Sequence, residues 1–295
     1  MRGVKLYNHG EDLIKLCNEK NKKIYEIVLE KESDITNLTE EEIRNMMNEN
    51  LKVMMESSKS ALNNKVKSVS GLIGGEAMKI KEYEKSNKTV SGKTINTAMA
   101  KALSTSEINA SMGKIVAAPT AGAAGIIPSA LLTTKEKFNL NDDDLINGLL
   151  TASGIGEIVA KNATVSGAYG GCQAECGVAA AMASAAIVEM LGGSPEACLH
   201  AASFSLINIM GLVCDPIAGL VEFPCAIRNA SGVVNALISA DLALAGVTSL
   251  VPFDEVVEAM YKVGKSLPDS LKETALGGLA ATPTGQLCKK RIYGH

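Results

Sequence analysis

Residues 177–191, GVAAAMASAAIVEML, contain six alanines and a single charged side chain. Alanine has the highest helix propensity, so this stretch predicts a helix. Its small side chains would let neighbouring helices approach closely. Strand signals are scarce elsewhere, because few runs alternate β-branched residues and few hairpin dipeptides occur. We therefore predict a mainly α fold, in which helices rich in small residues pack together and are separated by glycine-rich breaks.

Charged residues are distributed unevenly along the 295 residues. Of the 61 lysines, arginines, aspartates and glutamates, 33 precede residue 102, and only nine lie between residues 145 and 251. So few charges indicate a stretch that is mostly hidden from water, within this chain or against a partner. We expect amphipathic helices in residues 1–67 and the small-residue helices in residues 68–295, as one continuous domain.

The N-terminal part shows helical spacing of its apolar residues. In residues 11–31, EDLIKLCNEKNKKIYEIVLEK, leucines and isoleucines recur at intervals of three and four. Thr39 followed by Glu42 forms a capping-box pattern, which predicts a helix start. The apolar face after it, from Ile43 to Leu62, indicates core packing rather than a cofactor site.

Composition argues against several classes of function. The net charge is −3, tryptophan is absent and aromatic residues make up 3%, so neither a basic surface nor base-stacking platforms for nucleic acid are expected. The first residues, MRGVKLYNHGEDLIK, contain no apolar segment typical of a secretion signal. The longest charge-free run between residues 145 and 251, residues 197–214, carries His200 and Asn208 and ends at a turn, so we expect no membrane span.

Glycine-rich breaks could bind a ligand through their backbone N–H groups, or could simply be turns between helices. The strongest of them are SGLIGGEA (70–77), PTAGAAGIIP (119–128), SGAYGGCQAEC (166–176) and CDPIAG (214–219). None matches a Walker loop, since no Gly-Lys-Ser/Thr follows, and no strand leads into a dinucleotide fingerprint.

The seven cysteines are odd in number and widely spread, which is not typical of a disulfide framework and favours reduced thiols in the cytosol. Cys17 and Cys198 lie in apolar helical patterns and are expected to be small buried hydrophobic residues. Cys172, Cys214 and Cys225 differ, because each lies in or beside a glycine- or proline-rich break. Thiolates turned towards one another there would suit zinc or an iron–sulfur cluster, although their spacing is no standard zinc signature.

Four motifs in order, SGLIGGEA, APTAGAAGIIP, GGCQAECG and GLVCDPIAGLVEFPCAIRNA, strongly resemble the alpha chain of iron–sulfur-dependent L-serine dehydratase. The resemblance runs from about residue 68 to residue 283. It implies a helical catalytic region that holds a [4Fe–4S] cluster on Cys172, Cys214 and Cys225, and that converts L-serine to pyruvate and ammonia. One iron without a protein thiolate would then act as a Lewis acid.

The resemblance also implies a substrate site and a partner. We expect Ser70, Gly74, Thr120 and Gly122 to line the site for L-serine. Single-chain members of the family carry a Ser-Ser-His-Thr run in a preceding β part, and no Ser-Ser-His occurs here. The catalytic base, which the sequence does not identify, is therefore expected on a separate β chain.

Other interpretations stay open on the sequence alone. The same fold and cluster would suit an L-cysteine desulfidase, and a non-catalytic helical subunit could use its thiols to bind zinc or nothing. Cys176 is the next candidate ligand, whereas Cys288, near the C-terminus, is expected to be structural. No Schiff-base lysine motif points to pyridoxal phosphate. The three histidines, His9, His200 and His295, lie outside the four motifs.

Overall fold

The computed structural model describes residues 7–86 and 88–294, so His295 lies outside the described residues. Within this part of the chain there are thirteen α-helices and no strand. The helices are α1 (Gly10–Lys20), α2 (Ile24–Thr36), α3 (Glu40–Asn63), α4 (Glu76–Glu84), α5 (Gly92–Ala110), α6 (Ile126–Phe138), α7 (Asp142–Asn162), α8 (Gly167–Gly170), α9 (Val178–Met190), α10 (Pro195–Ile207), α11 (Cys225–Leu244), α12 (Phe253–Ser266) and α13 (Pro283–Tyr293). The prediction of a mainly α fold is confirmed.

Helix α9 lies at the centre of the fold. Every residue from Val178 to Glu189 is buried, and the helix packs against α6, α7, α10 and α11. A helix surrounded on all sides needs small side chains if its neighbours are to approach closely, and alanine supplies them at little entropic cost. The alanine-rich stretch of the sequence is therefore the core of the bundle.

The N-terminal helices follow the sequence pattern with one difference. Thr39 caps α3 as expected, because its hydroxyl accepts a hydrogen bond from the N–H of Glu42 at 3.2 Å while the Glu42 carboxylate accepts the N–H of Thr39 at 2.8 Å. Residues 11–31 form two helices, with a break between them that the spacing of the apolar residues does not reveal. The chain breaks at Asn21, whose φ of 51° lies in the left-handed region that asparagine tolerates.

Two carboxylates from distant helices cap the starts of α1 and α2. Asp254 on α12 accepts the N–H groups of Gly10 and Glu11, at 2.7 and 3.1 Å. Glu189 on α9 accepts those of Ile24 and Tyr25, at 2.6 and 3.2 Å. The first N–H groups of a helix have no partner within it, and its N-terminus favours negative charge, so each carboxylate fastens a helix to the bundle.

One hydrophobic core contains residues from both sides of residue 67, among them Leu13 of α1, Ile155 of α7 and Val257 of α12. This shared core supports treating the two parts as one continuous domain, which stays a prediction. No helix in residues 7–86 or 88–294 combines the length and the apolar character needed to cross a membrane.

Replacing Glu189 should test how α2 is fastened to the bundle. Glu189→Ala leaves the N–H groups of Ile24 and Tyr25 without their acceptors, and we expect it to lower the free energy of unfolding by about 2–4 kcal/mol. Glu189→Gln retains a carbonyl acceptor and should cost about half as much. Urea unfolding followed by circular dichroism measures both changes.

The matched control is Glu258→Ala, which removes an exposed carboxylate paired with Lys262 at 2.5 Å. An exposed pair of this kind contributes about 0–1 kcal/mol. Equal losses in the Ala variants of Glu189 and Glu258 would contradict the capping role.

Candidate functional site

Cys172 lies at the start of the segment that feeds the central helix. Residues Gln173–Gly177 form a single π-helical turn that continues directly into α9. Isolated π turns occur frequently at functional sites, because they re-aim side chains within an otherwise regular helix. Here the turn brings the Cys172 and Cys176 sulfurs to 3.8 Å from each other.

A third thiol, that of Cys214, reaches the same place from a loop. One ligand atom each from Cys172, Glu175 and Cys214 lies within 4.8 Å of the other two. Cys225, the first residue of α11, interacts electrostatically with Cys172 and Cys176. The sulfurs of Cys172, Cys176, Cys214 and Cys225 are all free and buried.

The other cysteines lie elsewhere. Cys17 on α1 and Cys198 on α10 are buried near Glu189. Burial, and then the negative charge of Glu189, raises the pKa of both thiols. Cys288 is on α13 and is partly exposed. The structure thus separates the cysteines of the glycine-rich breaks from those of the apolar helices.

Hydrogen bonds and charge differentiate the four clustered thiols. Hydrogen bonds from Cys176 and Cys214, and then the positive charge of Arg228, hold the pKa of Cys172 well below its usual range. The same hydrogen bonds raise the pKa of Cys176 and Cys214, and burial raises that of Cys225. Cysteine binds a metal as the thiolate, so a metal ion that binds these sulfurs would displace their protons.

Glu175 connects the thiols with two of the residues expected to line a substrate site. Thr120 donates a hydrogen bond from its hydroxyl to Oε1 of Glu175. A Cβ on Gly122 would lie 2.5 Å from that same oxygen, so a side chain there would force the carboxylate to move, and one on Gly167 would make a tight contact of 3.1 Å with Oε2. Burial and the negative charge of Cys172 raise the pKa of Glu175 to about 7.

Ser70 and Gly74 lie in the first glycine-rich break, and no contact joins them directly to the thiols. The Ser70 hydroxyl and N–H donate to the buried carboxylate of Glu222, at 2.5 and 3.2 Å. The Gly74 N–H donates to Glu76 at 2.6 Å. The N–H groups of Ser70 and Gly74, which were expected to be free for a ligand, therefore already donate to glutamate side chains. A substrate carboxylate would have to displace one of these glutamates.

Sequence reasoning missed a segment that crosses the Cys214 loop. The Cys214 N–H donates to the carbonyl of Leu271 at 2.8 Å, and the Glu273 N–H donates to the carbonyl of Cys214 at 2.7 Å. Partial burial and the charge of Cys172 raise the pKa of Glu273. The only local signal was the Gly277–Gly278 pair, which indicates a turn but not where the turn docks.

The donor set is chemically suited to a soft metal or a cluster. The thiols of Cys172, Cys176 and Cys214 converge with the Glu175 carboxylate, and the thiol of Cys225 interacts electrostatically with this group. Thiolates select zinc, copper(I) and iron–sulfur clusters over hard cations. Within residues 7–86 and 88–294 no other group of three such side chains meets the same distance criterion.

The sequence matches known proteins along most of its length. The family model described as serine dehydratase alpha chain matches residues 19–280. The chain is 54% identical to the L-serine dehydratase alpha chain of Peptoniphilus asaccharolyticus, over 97% of this chain and 98% of that protein. It is 49% identical to a probable L-serine dehydratase alpha chain of Bacillus subtilis, over 98% and 96%. A Helicobacter pylori L-serine dehydratase is 35% identical over 94% of this chain but only 62% of its own length.

Cobalt(II) binding to the metal-free protein should identify the ligands. Thiolate ligands give Co²⁺ a charge-transfer absorption, and the wild-type protein should show it. Replacing Cys172, Cys214 or Cys225 with serine should weaken Co²⁺ binding at least about tenfold. Even the loss of a residue that only hydrogen-bonds to a metal ligand typically costs this much affinity. Cys198→Ser is the matched control, because it removes an equally buried thiol outside the cluster. An effect from Cys176→Ser but none from Cys225→Ser would contradict the chosen ligand set.

Proposed function

The chain belongs to the serine dehydratase alpha chain family, and on that premise we propose that it is the alpha chain of an L-serine dehydratase, an ammonia-lyase that converts L-serine to pyruvate and ammonia. The observation that carries the proposal is the convergence of Cys172, Glu175 and Cys214 within 4.8 Å, beside Thr120. All four residues lie within residues 19–280, where the family model matches.

We further propose that the site holds a [4Fe–4S] cluster on Cys172, Cys214 and Cys225. The fit rests on the donor set, since buried free thiols are the ligands such clusters use. When bound, a cluster with three protein thiolates supplies a Lewis-acidic iron, which eases the departure of the serine hydroxyl. Reduced thiols of this kind agree with the cytosolic location proposed from the sequence.

Residues around the thiols are suited to holding L-serine. Its ammonium group is positive, and the carboxylates of Glu175 and Glu273 both interact electrostatically with Cys172. They would therefore draw the ammonium towards the thiols. Thr120 presents a hydroxyl at the same place. Glu222 occupies the Ser70 donors, and replacing it with the substrate carboxylate would free those donors for binding.

Loss of water from serine gives aminoacrylate, which tautomerises to an imine and hydrolyses to pyruvate and ammonia. The step that the chain must organise is removal of the α-proton, and a general base must come within about 3 Å of it. His9 precedes α1, and His200 on α10 accepts the N–H of Ser249 at 3.2 Å. Neither position is in the segments that carry the four clustered thiols.

We propose that the base comes from a β chain. The longer Helicobacter pylori relative contains a region beyond the part that this chain matches. A surface suited to a partner is also present near the thiols. Ile227, Ile238 and Leu242 on the outer side of α11 are 48%, 46% and 40% exposed, and Ile227 lies two residues from Cys225.

Anaerobic preparation should test the activity and the cofactor together. We expect protein reconstituted with iron and sulfide, and supplied with the β chain, to release pyruvate from L-serine. Exposure to air should abolish this activity, and ferrous iron with a thiol reductant should restore it, since an iron that substrate can reach is also open to oxidants. Full activity in iron-free protein would contradict the proposal, and faster release from L-cysteine than from L-serine would favour a desulfidase.

Separate purification of the two chains should test the partner. We expect the isolated alpha chain to assemble the cluster but to turn over L-serine at least about 100-fold more slowly than the mixture, because a positioned acid or base contributes about 10²–10⁴-fold. The control is the β chain alone, which should be inactive. Equal turnover with and without the β chain would place the base within this chain.

A further inference from the structure

Arg228 joins two of the segments that carry the candidate ligands. It lies one helical turn after Cys225 on α11. Its Nη1 donates to the carbonyl of Val213 at 2.9 Å, and its Nη2 donates to Oδ1 of Asp215 at 2.7 Å. Val213 and Asp215 are the two neighbours of Cys214. One guanidinium thereby fixes the Cys214 turn against the helix that begins with Cys225.

Asp215 extends this connection to the crossing segment. Its other oxygen, Oδ2, accepts the N–H of Leu279 at 2.7 Å. The Arg228 and Asp215 side chains are only 14% and 4% exposed. A buried, hydrogen-bonded ion pair contributes little net stability, but removing one partner leaves an uncompensated charge, so the pair strongly constrains geometry.

Arg228 also brings positive charge to the thiols. Its guanidinium interacts electrostatically with Cys172 as well as making the hydrogen bonds around Cys214. The carboxylates of Glu175 and Glu273 also interact electrostatically with Cys172. A thiolate-bound cluster would add more negative charge in a largely buried place, where charges are poorly screened. A fixed guanidinium cannot be deprotonated there.

We propose that Arg228 is the positioning residue of the metal centre, which fixes Cys214 relative to Cys225 and offsets the negative charge of the group bound by the thiolates. This rests on the proposed iron–sulfur function. Reduction adds one negative charge to a cluster. A nearby cation favours the reduced form, so removing the cation lowers the reduction potential.

The test compares Arg228→Gln and Arg228→Lys with the wild-type protein. Iron and sulfide content, and the reduction potential from an anaerobic titration followed by EPR, are measured on each reconstituted protein. The matched control is Arg44→Gln. Arg44 on α3 also uses its two Nη atoms to bridge an amide oxygen, Oδ1 of Asn147 at 2.7 Å, and a carboxylate, Oδ1 of Asp143 at 3.0 Å, away from the thiols.

We expect Arg228→Gln to lower the reduction potential and to speed cluster loss in air. Arg228→Lys keeps the charge but lacks the fork that spans Val213 and Asp215, so its potential should stay near the wild-type value while the cluster is lost faster. Arg44→Gln should change neither property. A wild-type potential and wild-type cluster retention in Arg228→Gln would overturn the proposal.

If Arg228→Gln assembles no cluster, Co²⁺ binding to the metal-free proteins tests the role of Arg228 instead. With native far-ultraviolet circular dichroism, this variant should bind Co²⁺ at least about tenfold more weakly than the wild type. Unchanged Co²⁺ affinity would overturn the proposal. Failure of the wild-type protein to assemble iron and sulfide would instead contradict the proposed function, and the Co²⁺ comparison would still test Arg228.

Discussion

The burial of α9 on every side is the constraint on which the rest of the structure depends. Helices α6, α7, α10 and α11 can surround it because its contact surface consists largely of alanine. Close packing of this kind leaves no room for loops in the middle of the bundle, so the connections gather at the helix ends. Cys172 and Cys176 precede α9 directly, and Cys225 begins α11, which packs against it. Cys172, Cys176 and Cys225 come together because the π turn leads into α9 and α11 packs against both, and the Cys214 loop adds a further thiol.

An apolar interior has electrostatic consequences for the groups at its edge. Carboxylates that enter it are matched to backbone donors, as Glu189 and Asp254 are at the starts of α2 and α1. The thiol cluster is stabilised differently, by the positive charge of one guanidinium and by hydrogen bonds among the sulfurs themselves. The N–H groups at a helix start satisfy a carboxylate without any ion, whereas a metal ion that binds thiols replaces their protons. The first arrangement supports the fold, and the second suits a binding site.

Sequence patterns predicted the parts of the structure that depend on local physics. The helices around Thr39 and the alanine-rich α9 follow from capping and propensity, which act within a few residues. The separation of Cys172 and Cys214 from Cys198 followed from their positions in breaks. The docking of residues 271–279 on the Cys214 loop could not be predicted, because its hydrogen bonds join residues about 60 positions apart and repeat no local pattern. The acceptors of the Ser70 donors were missed for the same reason, since Glu222 is 152 residues away.

Glu175 shows how such long-range contacts connect binding with chemistry. Its position three residues after Cys172 is fixed by the π turn, which also aims it at the thiols. Thr120 and the absence of a Cβ at Gly122 bring a separate glycine-rich break against the same carboxylate. Any molecule that displaces the Thr120 hydroxyl from Glu175 therefore changes the charge felt by Cys172, and any change at the thiols alters how firmly Glu175 is held. Two segments that share one carboxylate cannot respond independently, so a new contact in the break around Thr120 also affects the turn that carries Cys172.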